Sequence, residues 1–187
     1  PRAFSLSDIT LVASNQFGYT ATDVLEICQS LYETHKLTSY PRTDCAFLPE
    51  SQHADAAYVL AAIKHVNRAL TTLVDNADVT IKSKTWDDRK VGVHYGIIPT
   101  MHKGKLSGLN DKERAVYDLI VRAYIAQFYP LHEYLSTKVR LGVAGETFQV
   151  FGKTIIKNGW RDVYTNIDDE KNPDEIELQA LPAMKIN

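Results

Sequence analysis

The spacing of apolar residues changes period once along this 187-residue chain, near Pro130. Before that point apolar residues recur every three to four positions, the signature of helix faces. After it they tend to alternate, as on strands. A helical stripe and an alternating strand need different packing partners, so the switch predicts two units. The expected fold is mixed α and β (α+β). A helical domain covers 1–130, and a β-rich part with antiparallel strands covers 131–187.

Local signals place the helices. Ser5-Leu6-Ser7-Asp8 has capping-box form, and Leu6, Ile9, Val12, Ala13 and Phe17 follow at helical spacing, with Gly18 placed for a C-cap. Thr20-Ala21-Thr22-Asp23 repeats the signal ahead of Val24, Leu25, Ile27, Cys28, Leu31 and Tyr32, an apolar face running to about Lys36. Pro49 opens a third helix, with Ala54, Ala57, Tyr58, Leu60, Ala61 and Ile63 on it. Asn110-Asp111-Lys112-Glu113 caps a long helix with Val116, Leu119, Ile120, Ala123, Tyr124 and Phe128 inward, stopped by Pro130. Between these helices, 79–81 and 91–93 read as short extended pieces.

In the second part, Ser136–Val143 and Thr147–Ile156 read as strands about an Ala144-Gly145 turn. Asn158-Gly159 is a hairpin signal, with further strands expected over Trp160–Tyr164 and Glu177–Leu181.

Composition is ordinarily globular, at 44% hydrophobic and 24% charged. No apolar run approaches the roughly 18–20 residues that span a membrane. The two cysteines, Cys28 and Cys45, make no metal-ligand spacing, which suits a reduced, cytoplasmic setting. The start at Pro1 without Met and the stop at Asn187 read as cuts inside a longer protein. A net charge of −2 argues against a free-standing nucleic-acid binder, yet the charge is uneven. Lys82, Lys84, Arg89, Lys90, Lys103 and Lys105 share one stretch with His94 and His102, opposed only by Asp87 and Asp88. Acids gather late, in Asp168-Asp169-Glu170 and Asp174–Glu177, and read as solvated charge.

Two segments can carry chemistry. In Tyr40-Pro41-Arg42-Thr43-Asp44, Pro41 forbids helix and pushes Tyr40 toward an extended backbone. Residues i and i+2 then share a face, so Tyr40, Arg42 and Asp44 point one way, with Asp44 placed to orient Arg42 or a substrate group. A phenol that attacks a phosphodiester must lose a proton held with a pKa of about 10. A guanidinium favours the phenolate and grips two phosphate oxygens at once. Tyr-x-Arg is a short pattern, equally at home in a turn with a packed Tyr and a surface Arg. In the second segment, Val93 to Thr100, His94 is a donor suited to phosphate, or a loop histidine satisfied locally. Gly96 beside it allows close backbone approach.

Together the segments are more specific. Gln29-Ser30-Leu31-Tyr32-Glu33, Lys36 to Asp44, and Phe47-Leu48-Pro49 resemble the active-site tyrosine segment of type IA DNA topoisomerases. His94 to Thr100 resembles that family's His-x-x-Ile-x-Pro-Thr segment. Pro41 and Ile97-Ile98-Pro99-Thr100 are more similar to the bacterial topoisomerase III branch. The resemblance runs from about Phe4 to Tyr164, its strands including the expected Gly159-Trp160 hairpin. It departs from the family pattern at Gly96, where alanine is common, and at Ala46, where a basic or polar residue often follows the cysteine. A tyrosine recombinase also uses Tyr and Arg, but there the arginines and histidine precede the tyrosine; here they follow it.

The resemblance implies Tyr40 as nucleophile, joined to a DNA 5′-phosphate, with Arg42 and His94 as its catalytic partners. DNA contacts are expected from Arg42, Thr43, Asp44 and His94, and from Arg89 and Lys90 in the basic stretch. The parent enzyme would open one strand, pass another and reseal without ATP. It would use single-stranded DNA, be nucleoid-associated, and hold Mg²⁺ on an acidic domain of the same polypeptide that has no counterpart here. No cofactor or metal is expected in this chain, and alone it is expected to be inactive. Two other readings stay open: a non-catalytic DNA-binding module using 82–105, and a helical interaction domain.

Overall fold

The computed structural model describes residues 1–165. Pro1–Tyr129 forms one compact unit, and a second begins at Pro130. The first contains α1 (Leu6–Phe17), α2 (Ala21–Glu33), α3 (Ala56–Val66), the short α4 (Thr71–Asp75) and α5 (Asp111–Ile125). All three expected capping boxes form. Ser5 Oγ accepts from Asp8 N at 3.1 Å, Thr20 Oγ1 from Asp23 N at 3.1 Å and Asn110 Oδ1 from Glu113 N at 2.9 Å. Each carboxylate reaches back to the cap's backbone N–H, so two orphan donors per helix are satisfied.

Helix α5 is the axis of this unit. Every residue expected on its inner side is buried, and Tyr117, Val121 and Ile125 are buried as well. Helix α2 lays Val24, Ile27, Cys28 and Leu31 inward, and α1 adds Ile9 and Ala13. Burial pushes the Cys28 thiol up to about 12 and raises the Tyr117 and Tyr124 phenols. An aromatic knot joins His53, Trp86, Tyr124 and Phe128, with ring centroids 5.0–6.3 Å apart.

Several expectations need correction. The third helix starts later than Pro49 implies: Glu50–Asp55, which holds Ala54, is a 3₁₀ segment, and α3 begins at Ala56, burying Ala56, Val59, Leu60, Ala62, Ile63 and Val66 while Ala57, Tyr58 and Ala61 face water. Residues 79–81 are no strand: Ile81 N donates to Asp78 O, and Asp78 Oδ1 accepts from both Thr80 N and Oγ1. Residues 91–93 also lie outside any ladder; the isolated bridges are Phe4 with Ile97, Thr38 with Pro99 and Leu48 with Trp86.

In the second unit β1 (Glu133–Val143) and β2 (Glu146–Lys157) pair antiparallel around Ala144 and Gly145, both at positive φ as a two-residue turn demands. Most of their side chains are exposed. The strand expected over Trp160–Tyr164 is instead the 3₁₀ turn Gly159–Val163. Gly159 has φ +58°, and a Cβ there would stand 2.3 Å from Leu131 O; Trp160 N donates to Pro130 O. The chain therefore closes back on the start of β1 instead of forming a new hairpin. The expected strand at Glu177–Leu181 and the acidic runs lie outside the described residues. Among those described, no helix is long and apolar enough to cross a membrane.

Candidate active site

The two chemical segments are stitched together by backbone. Helix α2 ends where Leu37 N reaches back to Leu31 O, with Lys36 in the left-handed region at φ +58°. The chain then runs antiparallel to the second segment. Ser39 N donates to Ile98 O at 2.8 Å, and Thr100 N donates to Leu37 O at 3.0 Å. The Ser39 side chain, buried, closes the pairing: its Oγ donates to Gly96 O and accepts from Ile98 N. Thr100 Oγ1 donates to Lys36 O at 2.6 Å. Gly96 N donates to Phe47 O, and Ile97 N to Phe4 O. A Cβ on Gly96 would lie 2.8 Å from the Ala3 Cβ and 3.4 Å from the backbone of Ala46. The two positions that depart from the family pattern are thus neighbours in space.

This frame delivers His94 to Tyr40. Their ring centroids are 4.6 Å apart at 38°, and Tyr32 meets the Tyr40 ring edge-on at 5.6 Å. Tyr40 remains 37% exposed. Exposure alternates, with Tyr40, Arg42 and Asp44 outward and Pro41 and Thr43 inward, but the segment is not regularly extended: the Thr43 N–H bond to Pro41 O makes a tight turn about Arg42. Thr43 is buried. Its hydroxyl accepts from Cys45 N, its carbonyl accepts from Leu6 N, and its N–H donates to Pro41 O. Asp44 is not the partner of Arg42. That guanidinium donates from Nη2 to Gln29 Oε1 at 3.2 Å.

The basic stretch is partly neutralised. Arg89 forks onto Asp87 through Nε and Nη2, at 2.9 and 3.1 Å, and Lys82 pairs with Glu50. The Asp87 carboxylate raises the pKa of Arg89. Lys90 lies 3.8 Å from Asp87, with its ammonium over the Phe47 ring. Arg89 and Lys90 share the loop that packs by Cys45, whose thiol contacts Lys90 O.

Two features lie beyond what the sequence pattern shows. Tyr32, on the apolar face of α2, sits at the exposed edge of that face, against Tyr40. Glu113 was seen only as a cap, yet its buried carboxylate also accepts from Ser30 Oγ at 2.6 Å and lies 3.3 Å from His35 Nε2. It thereby ties the last turn of α2, from which the Tyr40 segment departs, to the start of α5. Burial alone would raise its pKa; hydrogen bonds from Ser30 and Asn110 N–H and the His35 contact outweigh that and hold it below the usual range.

A family model described as DNA topoisomerase matches residues 1–187. The chain belongs to the DNA topoisomerase family. Among curated topoisomerases, DNA topoisomerase 3 of Vibrio cholerae is 40% identical over 182 residues, 97% of this chain and 28% of that protein. DNA topoisomerase 3 of Bacillus cereus is 35% identical over 187 residues, 99% of this chain and 26% of its own length. Topoisomerase I of Thermotoga maritima, a solved structure, shares the fold with a TM-score of 0.64 at 20% identity, over all of this chain and 29% of that one. The resemblance to the topoisomerase III branch therefore holds. The chain spans a little over a quarter of the length of these topoisomerases.

Proposed function

We propose that Tyr40 is the nucleophile of a type IA topoisomerase that cuts and reseals one DNA strand. The observation that carries this reading is the meeting of Tyr40 and His94 at 4.6 Å, built by pairing two segments more than fifty residues apart, with Arg42 on the same outward face. Two other tyrosines, Tyr117 and Tyr124, are buried with raised phenol pKa values and are unsuited to attack.

The Tyr40 Oη attacks phosphorus, a P–Oη bond forms, and the P–O3′ bond breaks. The phenol gives up a proton and O3′ gains one. The 5′-phosphotyrosyl link retains the energy of the broken ester, so the reverse attack by O3′–H reseals the strand without ATP. Arg42 would stabilise charge on the non-bridging oxygens, and His94 would donate to phosphate. Among the described residues no three of His, Cys, Asp and Glu converge on a metal position. Mg²⁺, which the family resemblance implies, would on this reading be held by another domain of the same polypeptide. The internal neutralisation of Arg89 and Lys82 weighs against a module that binds DNA through 82–105 alone.

The substrate would be single-stranded DNA and the setting the cytoplasm. Incubating this chain with labelled single-stranded DNA tests the division of labour. Weak, reversible binding without a covalent adduct is expected. An adduct formed by the chain alone would refute the need for the remaining domains.

A further inference from the structure

Helix α2 turns Gln29, Tyr32 and Glu33 toward the site, at the i, i+3 and i+4 spacing that makes one face. Tyr32 meets Tyr40. Gln29 does something different: its Oε1 accepts from Arg42 Nη2 at 3.2 Å, and its Nε2 donates to Glu33 Oε1 at 3.0 Å. Both ends of this amide are dictated by chemistry. An ionised Glu33 only accepts, so the amide NH₂ must face it. Arg42 only donates, so the amide oxygen must face Arg42. The amide cannot flip without losing both bonds.

The chain contains its own contrast. Arg89 is held by a carboxylate, Asp87, through two bonds that occupy one edge of its fork and place a negative charge against it. Among the described residues Arg42 is held by a neutral acceptor through one bond, which leaves four of its five N–H groups and sets no carboxylate against its charge. We propose that Gln29 is a positioning residue that fixes the Arg42 fork while leaving its charge for a nucleic-acid phosphate, with Glu33 setting which way the amide faces. This rests on the reading of Arg42 as a phosphate contact. It makes the identity of residue 29 a matter of charge and not only of reach.

The test uses the 187-residue chain, a fluorescein-labelled (dT)12 probe and anisotropy over a range of salt. Gln29→Glu keeps an acceptor for Arg42 but neutralises it. Affinity is expected to fall about three- to tenfold, with the slope of log affinity against log salt shallower by about 0.7, as for one lost phosphate contact. Arg42→Ala is expected to give the same slope change. Gln29→Ala leaves the charge, so the slope is unchanged and the loss is smaller. In parallel, NMR of the Arg42 guanidinium reads rotation about its Nε–Cζ bond, which Gln29→Ala is expected to speed. Wild-type affinity and slope in Gln29→Glu would overturn the proposal, as would unchanged Arg42 rotation in Gln29→Ala. If Arg42→Ala itself changes neither affinity nor slope, the reading of Arg42 as a phosphate contact falls, and the charge argument with it. The NMR signal then shows separately whether Gln29 holds the guanidinium.

Discussion

Replacing Gly96 by alanine tests the frame beneath the site. The new Cβ would stand 2.8 Å from the Ala3 Cβ, about 1 Å inside carbon–carbon contact, while its 3.4 Å approach to the Ala46 backbone is tolerable. Overfilling a packed site costs about 1–3 kcal/mol. Removing a glycine from the unfolded chain returns about 0.4–1 kcal/mol. The net expectation is destabilisation by about 1 kcal/mol. Ala3→Gly alone also destabilises, since Ala3 is buried. Combined, the two should cost less than their sum, by about 1 kcal/mol or more, because the clash disappears. Urea unfolding in a Trp160→Phe background reads Trp86, buried in the first unit, and yields all four corners of the cycle. Additivity within about 0.5 kcal/mol would refute the claimed Ala3–Gly96 contact.

Other consequences follow from single contacts. Ser39→Ala leaves Ile98 N–H without its side-chain acceptor in a buried position, which should cost about 1–3 kcal/mol by the same unfolding measurement. In α2, hydrogen bonds from the Thr20 side chain and Lys112, then from Thr20 N–H, lower Asp23 to about 2. A depressed carboxylate stabilises above its unfolded pKa of about 3.8 and loses that contribution as pH falls toward 2. The stability gap between wild type and Asp23→Asn should therefore be constant near neutrality and narrow as pH falls from about 4 through about 2; a gap that keeps its neutral-pH size down to pH 2 would contradict it. Cys28, buried with a thiol pushed up to about 12, should resist a thiol reagent until unfolding, whereas the partly exposed Cys45 should react in the folded chain. Mass analysis of the labelled peptides separates the two.

What was legible in the sequence was local. Capping pairs three residues apart announce three helices, because both partners lie within one turn. The strands β1 and β2 and their turn were legible for the same reason. What failed depended on partners far along the chain. Gly159 announces a positive φ, but not that Pro130 and Leu131 lie against it, so a hairpin was expected where the chain folds back. The late start of α3 was not legible because a 3₁₀ turn leaves little trace in apolar spacing. At the site, the alternation of Tyr40, Arg42 and Asp44 followed from Pro41. The holder of Arg42 did not: Gln29 lies thirteen residues before Arg42, across a turn in which Lys36 is left-handed without the glycine that would signal it. The meeting of Tyr40 with His94 was implied by family resemblance. Its physical cause, the ladder through Ser39 and Thr100, emerged from the structure.

The central claim is that the complete enzyme containing this chain attacks DNA through Tyr40. The most direct measurement traps the cleaved complex on labelled single-stranded DNA with denaturant, digests the protein and locates the retained nucleotide by mass spectrometry. The account predicts a 5′-phosphoryl link on the peptide carrying Tyr40, and none in Tyr40→Phe. A nucleotide found on any other residue, or an adduct that survives Tyr40→Phe, would contradict it.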